Sequence, residues 1–456
     1  MNSYDVIVVG AGSGGLTTSL VAAEIGLTVL LIDKKEENLG GECLRSGCVP
    51  SKSLIHVANT LYSTKKSQEW GVTSNSSVNW QSIKTYIQQR QQKIGEKESR
   101  EHLEQQGIHT RFGEAQLETP HRIDIDGEKY TSKKIILCTG SSPRRISLDA
   151  EIPVYTNEDI FIMDTLPSSL LIIGGGPIGL EIGQALSRLG SDVSIVERGN
   201  TILKRDPVHI TNALKEQLSK EIDIYTDTTI ETIEDGRVTL SNNHVMSPDG
   251  ILLGIGRKPN TKGLGLDTVG VEYTKKGITV DEYCQTSVSS IYAVGDCNGK
   301  YQLSHVAELE ASTVIQNALT PLFNKKVPYD NVSWVTYTDP QIATLGNTSY
   351  YEKDSSFTKH SMPFEDVDRT IIEDTPSKGV IYTKNGYIAG ASIMHSRAES
   401  IIQEIVLAKQ NNIKLRAFTS KIVPYPTHEM ITKMTSIKDL QESTPTWIKG
   451  ILKKLW

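Results

Sequence analysis

A strand, a glycine-rich turn, a helix and a second strand occur twice in this chain at the same spacing. The repeat constrains the fold more than any other feature. The first copy leads from Val6-Ile7-Val8-Val9 into Gly10-Ala11-Gly12-Ser13-Gly14-Gly15, then a small-residue helix over Leu16 to Ile25 that Gly26 stops. It ends in the strand Thr28-Val29-Leu30-Leu31-Ile32-Asp33. The second leads from Ser169-Leu170-Leu171-Ile172-Ile173 into Gly174-Gly175-Gly176-Pro177-Ile178-Gly179, a helix to Leu189, Gly190, and a strand ending Ser194-Ile195-Val196-Glu197. Such a turn needs glycine three times: for the tight bend, for close approach of a pyrophosphate, and for helix–strand packing. Gly10, Gly12 and Gly15 meet that need, and so do Gly174, Gly176 and Gly179. Asp33 and Glu197 stand where an acid accepts hydrogen bonds from a ribose. An acidic Glu197 favours a free 2′-hydroxyl and repels a 2′-phosphate, hence NAD(H) in preference to NADP(H), with Arg198 and Arg205 close enough to soften the preference.

Two dinucleotide sites in one chain of 456 residues predict two α/β domains, the second inserted in the first. Between the turns, a polar, Gln- and Lys-rich helical stretch spans Trp80 to Gln106. The buried strand Lys134-Ile135-Ile136-Leu137 then runs into Cys138-Thr139-Gly140-Ser141 beside the first nucleotide. A matching strand over 250–260, ending Gly256-Arg257-Lys258-Pro259-Asn260, closes the second domain. At Ser290-Ile291-Tyr292-Ala293-Val294-Gly295-Asp296 another strand ends in Gly-Asp, where a carboxylate can accept a flavin ribityl hydroxyl or simply cap the next helix. After Pro328 the pattern turns antiparallel, with helices over Glu399 to Gln410 and beyond Thr427. The expected domains are 1–145 with 260–326, then 146–259, then 327–445, then a tail over 446–456.

The chemistry points to Gly40-Gly41-Glu42-Cys43-Leu44-Arg45-Ser46-Gly47-Cys48-Val49-Pro50-Ser51-Lys52. The Cys43–Cys48 spacing is too long for a C-x-x-C motif, and no further Cys or His pair completes a zinc site. A bridge closing so small a loop stabilises little and is readily reduced, as a catalytic pair requires. Cys48 lies just before a helix N-terminus, where a thiolate is favoured, and Lys52 adds positive charge on the same side. The plainer alternative is two unpaired core cysteines. Cys138, Cys284 and Cys297 have no partner at useful spacing and read as structural.

Five sparse cysteines argue for a reducing compartment, and the first strand begins too early to leave room for a signal peptide. The cytoplasm is the expected location, with peripheral contact to the inner face of the membrane as an addition. A net charge of −6 without a basic block excludes a nucleic-acid partner, and no apolar run is long enough to span a bilayer.

Two glycine turns, a C-x4-C before Pro-Ser-Lys, and a Gly-Asp strand together resemble the pyridine-nucleotide disulfide oxidoreductases, among them dihydrolipoamide dehydrogenase, glutathione reductase and mercuric reductase. The resemblance covers essentially the whole chain, including a dimerisation domain at Tyr337-Thr338-Asp339-Pro340-Gln341-Ile342-Ala343-Thr344-Leu345-Gly346. It implies a homodimer with FAD in the first site and NAD(P)H in the second. It also implies Cys48 as the thiol beside the flavin, Cys43 as the interchange thiol, and Lys52 near flavin N5 with Glu181 as its partner. Gly41, Thr139, Gly140, Gly256, Gly295, Asp296 and Ala307 complete the implied cofactor-binding set, with Leu303-Ser304-His305-Val306-Ala307 along the isoalloxazine. No metal site is expected.

The chain departs from the thiol-specific members of that family near its C-terminus. Where they carry His-Pro-Thr-x-x-Glu, this sequence reads Tyr425-Pro426-Thr427-His428-Glu429-Met430. A phenol is a poor base at neutral pH. Tyr at this place resembles mercuric reductase, but that enzyme's C-terminal cysteine pair is absent. His428-Glu429 offers a shifted base pair. The expected activity is an NADH-to-FAD-to-Cys48/Cys43 reductase for a small disulfide, a metal ion or another acceptor. The alternatives are dihydrolipoamide dehydrogenase and a slow redox-sensing flavoprotein. The tail, from Thr444-Pro445 to Trp456, places Trp447, Ile448, Ile451, Leu452, Leu455 and Trp456 on one helical face. Lys449, Lys453 and Lys454 lie largely on the other, as on an interfacial membrane helix or one packed on the dimer.

Overall fold

The computed structural model describes residues 2–148, 151–319 and 324–455. The strand Asn2–Val9 pairs in parallel with Val29–Asp33 on one side and Glu128–Leu137 on the other, and Ile108–Phe112 extends the sheet beyond Val29–Asp33. Glu128–Leu137 shares its far edge between two neighbours. Its first half pairs with Arg122–Ile125 in an antiparallel hairpin, and its second half pairs in parallel with the returning strand Ile291–Ala293. Both faces of this sheet are buried, as a parallel sheet requires. Val6, Val8, Val29, Leu31 and Ile136 belong to one apolar core, and Ile7, Val9, Leu30, Ile32, Ile135 and Leu137 to the other.

A second parallel sheet has the order Asp223–Tyr225, Asp192–Val196, Ser169–Ile173, Gly250–Leu253, Val154–Tyr155. The chain passes between the two sheets twice, and the crossings pair with each other as Ser141–Pro143 against Arg257–Pro259. The strand expected over 250–260 is therefore two strands. Gly256, at φ +92, turns the backbone between them so that Arg257 can reach the first sheet's crossing. The helical stretch expected over Trp80 to Gln106 is likewise divided. Trp80–Gly95 ends in a 3-10 turn, and Arg100–Gln105 restarts under Ser99, whose Oγ accepts from the His102 N–H.

The C-terminal part is a five-stranded antiparallel sheet, Ser333–Thr336, Gln341–Leu345, Tyr387–His395, Lys378–Lys384 and Thr358–Ser361. The helices Ala398–Gln410 and Met430–Ser443 share its core, and Thr446–Leu455 follows them. Leu54, Ile55 and Ala58, from the helix that carries the cysteines, share one core with Leu180 and Ile182 of the second glycine-turn helix and with Ile342 and Met394. That shared core holds the cysteine region rigid.

Candidate active site

The two glycine turns are near copies. Gly10 (φ +106) could not carry a side chain, since a Cβ would lie 2.2 Å from the Cys138 carbonyl oxygen; at Gly174 (φ +113) it would lie 2.5 Å from that of Gly254. Gly15 and Gly179 touch their own turns, with a Cβ falling 1.8 and 2.2 Å from the oxygens of Gly10 and Gly174. Gly12 and Gly176 differ from these. Each caps its helix in extended backbone, and a Cβ there meets no protein atom nearer than 3.8 and 4.0 Å. What a side chain would fill at these two positions is the approach to a helix N-terminus, where a diphosphate binds. The residues thus fit two dinucleotides.

The acids at the strand ends face the turns. Asp33 accepts from the Ala11 N–H (2.8 Å), the Lys34 N–H (2.7 Å) and Asn38 (2.9 Å). Glu197 accepts from the N–H groups of Gly175 (2.9 Å) and Gly199 (2.7 Å). Gly295 (φ +77) and Gly14 both pack against Ala307, so the helix Ser304–Leu319 passes close to the first nucleotide turn. Thr139 and Asn260 hydrogen-bond each other across the crossing, next to Gly140 (φ +65).

Cys43 lies on the short helix Gly41–Arg45, and Cys48 is the first residue of the helix Cys48–Lys66 rather than the residue before it. Both are free thiols. The Cys48 thiol is lowered to about 6, first by a hydrogen bond from Cys43, then by Ser304, whose Oγ is 3.6 Å away, and by the charge of Lys52. The Cys43 thiol is pushed up by that same hydrogen bond to Cys48 and by burial. One proton is thus held on Cys43 while Cys48 carries the negative charge. Lys52 Nζ donates to Glu181 at 2.7 Å and lies 4.6 Å above the Tyr337 ring. Glu181 is buried, and its second oxygen accepts from the Tyr337 N–H at 2.9 Å. The remaining cysteines are buried, and burial raises all three, Cys284 and Cys297 to about 12. They are inert.

Several residues of the site carry no obvious sequence signal. Glu42, beside Cys43, forms an ion pair with Arg257 and accepts from Asn157 Nδ2 at 2.6 Å. Arg257 donates to Ser141 Oγ at 2.7 Å, and that hydroxyl donates to Asp296 at 2.5 Å. Burial raises the carboxyl groups of both Glu42 and Asp296. A chain of four polar side chains therefore ties Asp296 to the cysteine loop. The one hint in the sequence is an arginine directly after the glycine that ends a buried strand. Ser304, within the segment expected along the flavin, is a neighbour of the thiols that no sequence signal marks.

The C-terminal candidates have all their partners in their own domain. Tyr425 is 71% exposed, and its hydroxyl donates to Asp368 at 2.6 Å, which raises the phenol above its ordinary value. The expected His428–Glu429 pair does not form. His428 is only 4% exposed, its Nε2 lies 3.0 Å from Glu373, and its ring meets His395 edge to face at 4.5 Å. His428 and Glu429 both lie in the turn before the helix Met430–Ser443, and Glu373, at the end of the short helix Asp368–Ile372, is the carboxylate that faces the ring. His305 is tied to the Ser333 carbonyl at 2.8 Å. Among the described residues, no group of three or more His, Cys, Asp and Glu could hold a metal ion, and no helix is long and apolar enough to cross a membrane.

Comparison with known proteins agrees with this geometry. The profile described as pyridine nucleotide-disulphide oxidoreductase matches residues 4–311, and that of the family's dimerisation domain matches 332–435. Mercuric reductase of Lysinibacillus sphaericus is 28% identical over 443 residues, 93% of this chain and 81% of that protein. Dihydrolipoyl dehydrogenase of Chlamydia trachomatis is 30% identical over 445 residues, 93% and 94%. The HOCl-induced flavoprotein disulfide reductase RclA of Escherichia coli superposes with a TM-score of 0.83 at 21% identity, over 95% of this chain and 100% of that one. The chain belongs to the pyridine nucleotide-disulphide oxidoreductases, enzymes that use FAD and NAD(P)H, and it carries their dimerisation domain.

Proposed function

We propose that this enzyme takes reducing equivalents from NADH and delivers them, through Cys48 and then Cys43, to a small disulfide or a metal ion in the cytoplasm. FAD, when bound, would supply the hydride-accepting chemistry that links the nicotinamide to the protein disulfide. Gly10, Gly12, Gly15, Asp33 and Asp296 would hold it, and Gly174, Gly176, Gly179 and Glu197 would hold the nicotinamide dinucleotide.

The chain's own residues divide the work. The hydrogen bond from Cys43, then Ser304 and the charge of Lys52, keep Cys48 as a thiolate, while Glu181 and the Tyr337 ring fix where Lys52 points. Cys43 keeps the proton until it attacks. With a disulfide substrate, Cys43 sulfur forms a mixed disulfide and expels one substrate thiolate. Cys48 then attacks Cys43, expels the second, and restores the Cys43–Cys48 bridge. Two electrons and the Cys43 proton have then left the thiol pair, solvent supplies the second proton, and the substrate is reduced to two thiols.

The observation that carries the direction of this reaction is Tyr425, exposed and hydrogen-bonded to Asp368. Supplied by a second copy of the chain, a phenol that Asp368 holds protonated is a poor base for an incoming dithiol. That favours reduction of an acceptor over oxidation of dihydrolipoamide. The test is turnover in both directions with FAD-replete protein. NAD reduction by dihydrolipoamide should fall well below the ordinary enzyme range of about 1–1,000 per second. Tyr425→His should raise it about tenfold or more. An unmodified enzyme within that range would instead favour a dihydrolipoamide dehydrogenase, and no response to Tyr425→His would remove Tyr425 as the cause of a low rate.

A further inference from the structure

The helix Thr446–Leu455 has no buried residue. Its first turn is set by the Pro445 carbonyl, which accepts from the N–H groups of Ile448 (3.0 Å) and Lys449 (3.2 Å). Lys449 Nζ donates to the Gln441 carbonyl at 2.6 Å, which ties the helix back to the end of Met430–Ser443. At 3.6 residues per turn, Trp447, Ile448, Ile451, Leu452 and Leu455 fall within an arc of about 140°. Trp447 is 66% and Leu455 77% exposed, and Ile451 and Leu452 are about half exposed. Trp456 would extend the stripe but lies outside the described residues.

The rest of the circumference holds Lys449, Lys453 and Lys454 with Thr446 and Gly450, and no acid. This concentration of positive charge stands out in a chain whose net charge is −6. The helix is about 15 Å long, half the hydrocarbon thickness of a bilayer, so it can lie on a membrane but not cross one. An apolar stripe calls for a cover of acyl chains or protein. Lysines at and opposite its edges, long enough to reach upward from the stripe, call for one rich in anionic groups. A tryptophan at one end of the stripe fits the headgroup boundary.

We propose that this helix docks the enzyme on an anionic bilayer surface, its apolar stripe at the headgroup–acyl boundary and its lysines among the headgroups. The proposal does not depend on which acceptor the cysteines reduce. The test is co-sedimentation of full-length, FAD-replete protein with vesicles of phosphatidylcholine alone or of phosphatidylcholine mixed with phosphatidylglycerol. Binding should require phosphatidylglycerol and weaken in high salt, where headgroup and lysine charges are screened. Ile451→Glu and Leu452→Glu should each lower binding about tenfold or more. Lys453→Gln with Lys454→Gln should lower it less. All of these variants should keep the flavin spectrum and the rate of reduction by NADH. Protein that stays in the supernatant with anionic vesicles at low salt would overturn the proposal. So would Ile451→Glu or Leu452→Glu protein that still binds vesicles normally but loses its dimeric mass, since the stripe would then belong to the contact between copies.

Discussion

The two glycine turns share one local structure but support the thiol pair in different ways. The first turn meets the cysteine loop backbone to backbone. A Cβ on Gly41 would lie 2.5 Å from Gly12 Cα, the Gly40 N–H donates to the Ala11 carbonyl, and Ser13 hydrogen-bonds Cys43. The second meets the cysteine helix through side chains, by Glu181 on Lys52. The first contact holds the Cys43 side and admits no Cβ at Gly41. The second sets the charge beside Cys48 and can be tuned. An identical sequence code therefore makes one rigid seat and one adjustable electrostatic support.

That contrast can be broken or sharpened by experiment. The largest effect is expected from alanine at the first glycine of each turn. Gly10→Ala should give protein that retains no flavin. Gly174→Ala should retain it, with flavin reduction by NADH slowed about 100-fold or more, read by stopped-flow absorbance. Loss of flavin from both variants would mean that the turns are not separable. Next is Lys52→Met, which removes the positive charge that helps hold Cys48 at about 6. The alkylation profile of the reduced enzyme should move to higher pH, and Glu181→Gln should move it the other way. The sign has a stability counterpart. The depressed Cys48 thiol contributes stability to the reduced fold that is lost as the pH falls from the unfolded thiol value of 9.0 through about 6, and above 9.0 the raised Cys43 thiol opposes it. The smallest change is expected for Glu197→Ala, which should improve KM for NADPH relative to NADH about threefold to tenfold. No change in that ratio would remove Glu197 from cofactor choice.

Much of this was legible before the structure, because it is local. A strand, three glycines and a terminal acid specify the turn within a few residues, and a cysteine at a helix start specifies its own polarity. Glu42 with Arg257 was not legible. They lie 215 residues apart, and no periodicity says which cation closes on which acid. The break of the 250–260 strand has no local signal for a related reason, since its cause is the pairing of Arg257–Pro259 with Ser141–Pro143 across the domain crossing. His428 is similar: its neighbour Glu429 looked like its partner in sequence, but the helix Asp368–Ile372 brings Glu373 to its ring instead.

The central claim is that electrons entering from NADH reach Cys43 and Cys48 and no other cysteine. It is tested by adding NADH anaerobically to oxidised holoenzyme, trapping thiols with an alkylating reagent, and locating the label by mass spectrometry. Two newly labelled residues are expected, Cys43 and Cys48, with Cys138, Cys284 and Cys297 unchanged. Flavin that bleaches fully while Cys43 and Cys48 gain no label would contradict it.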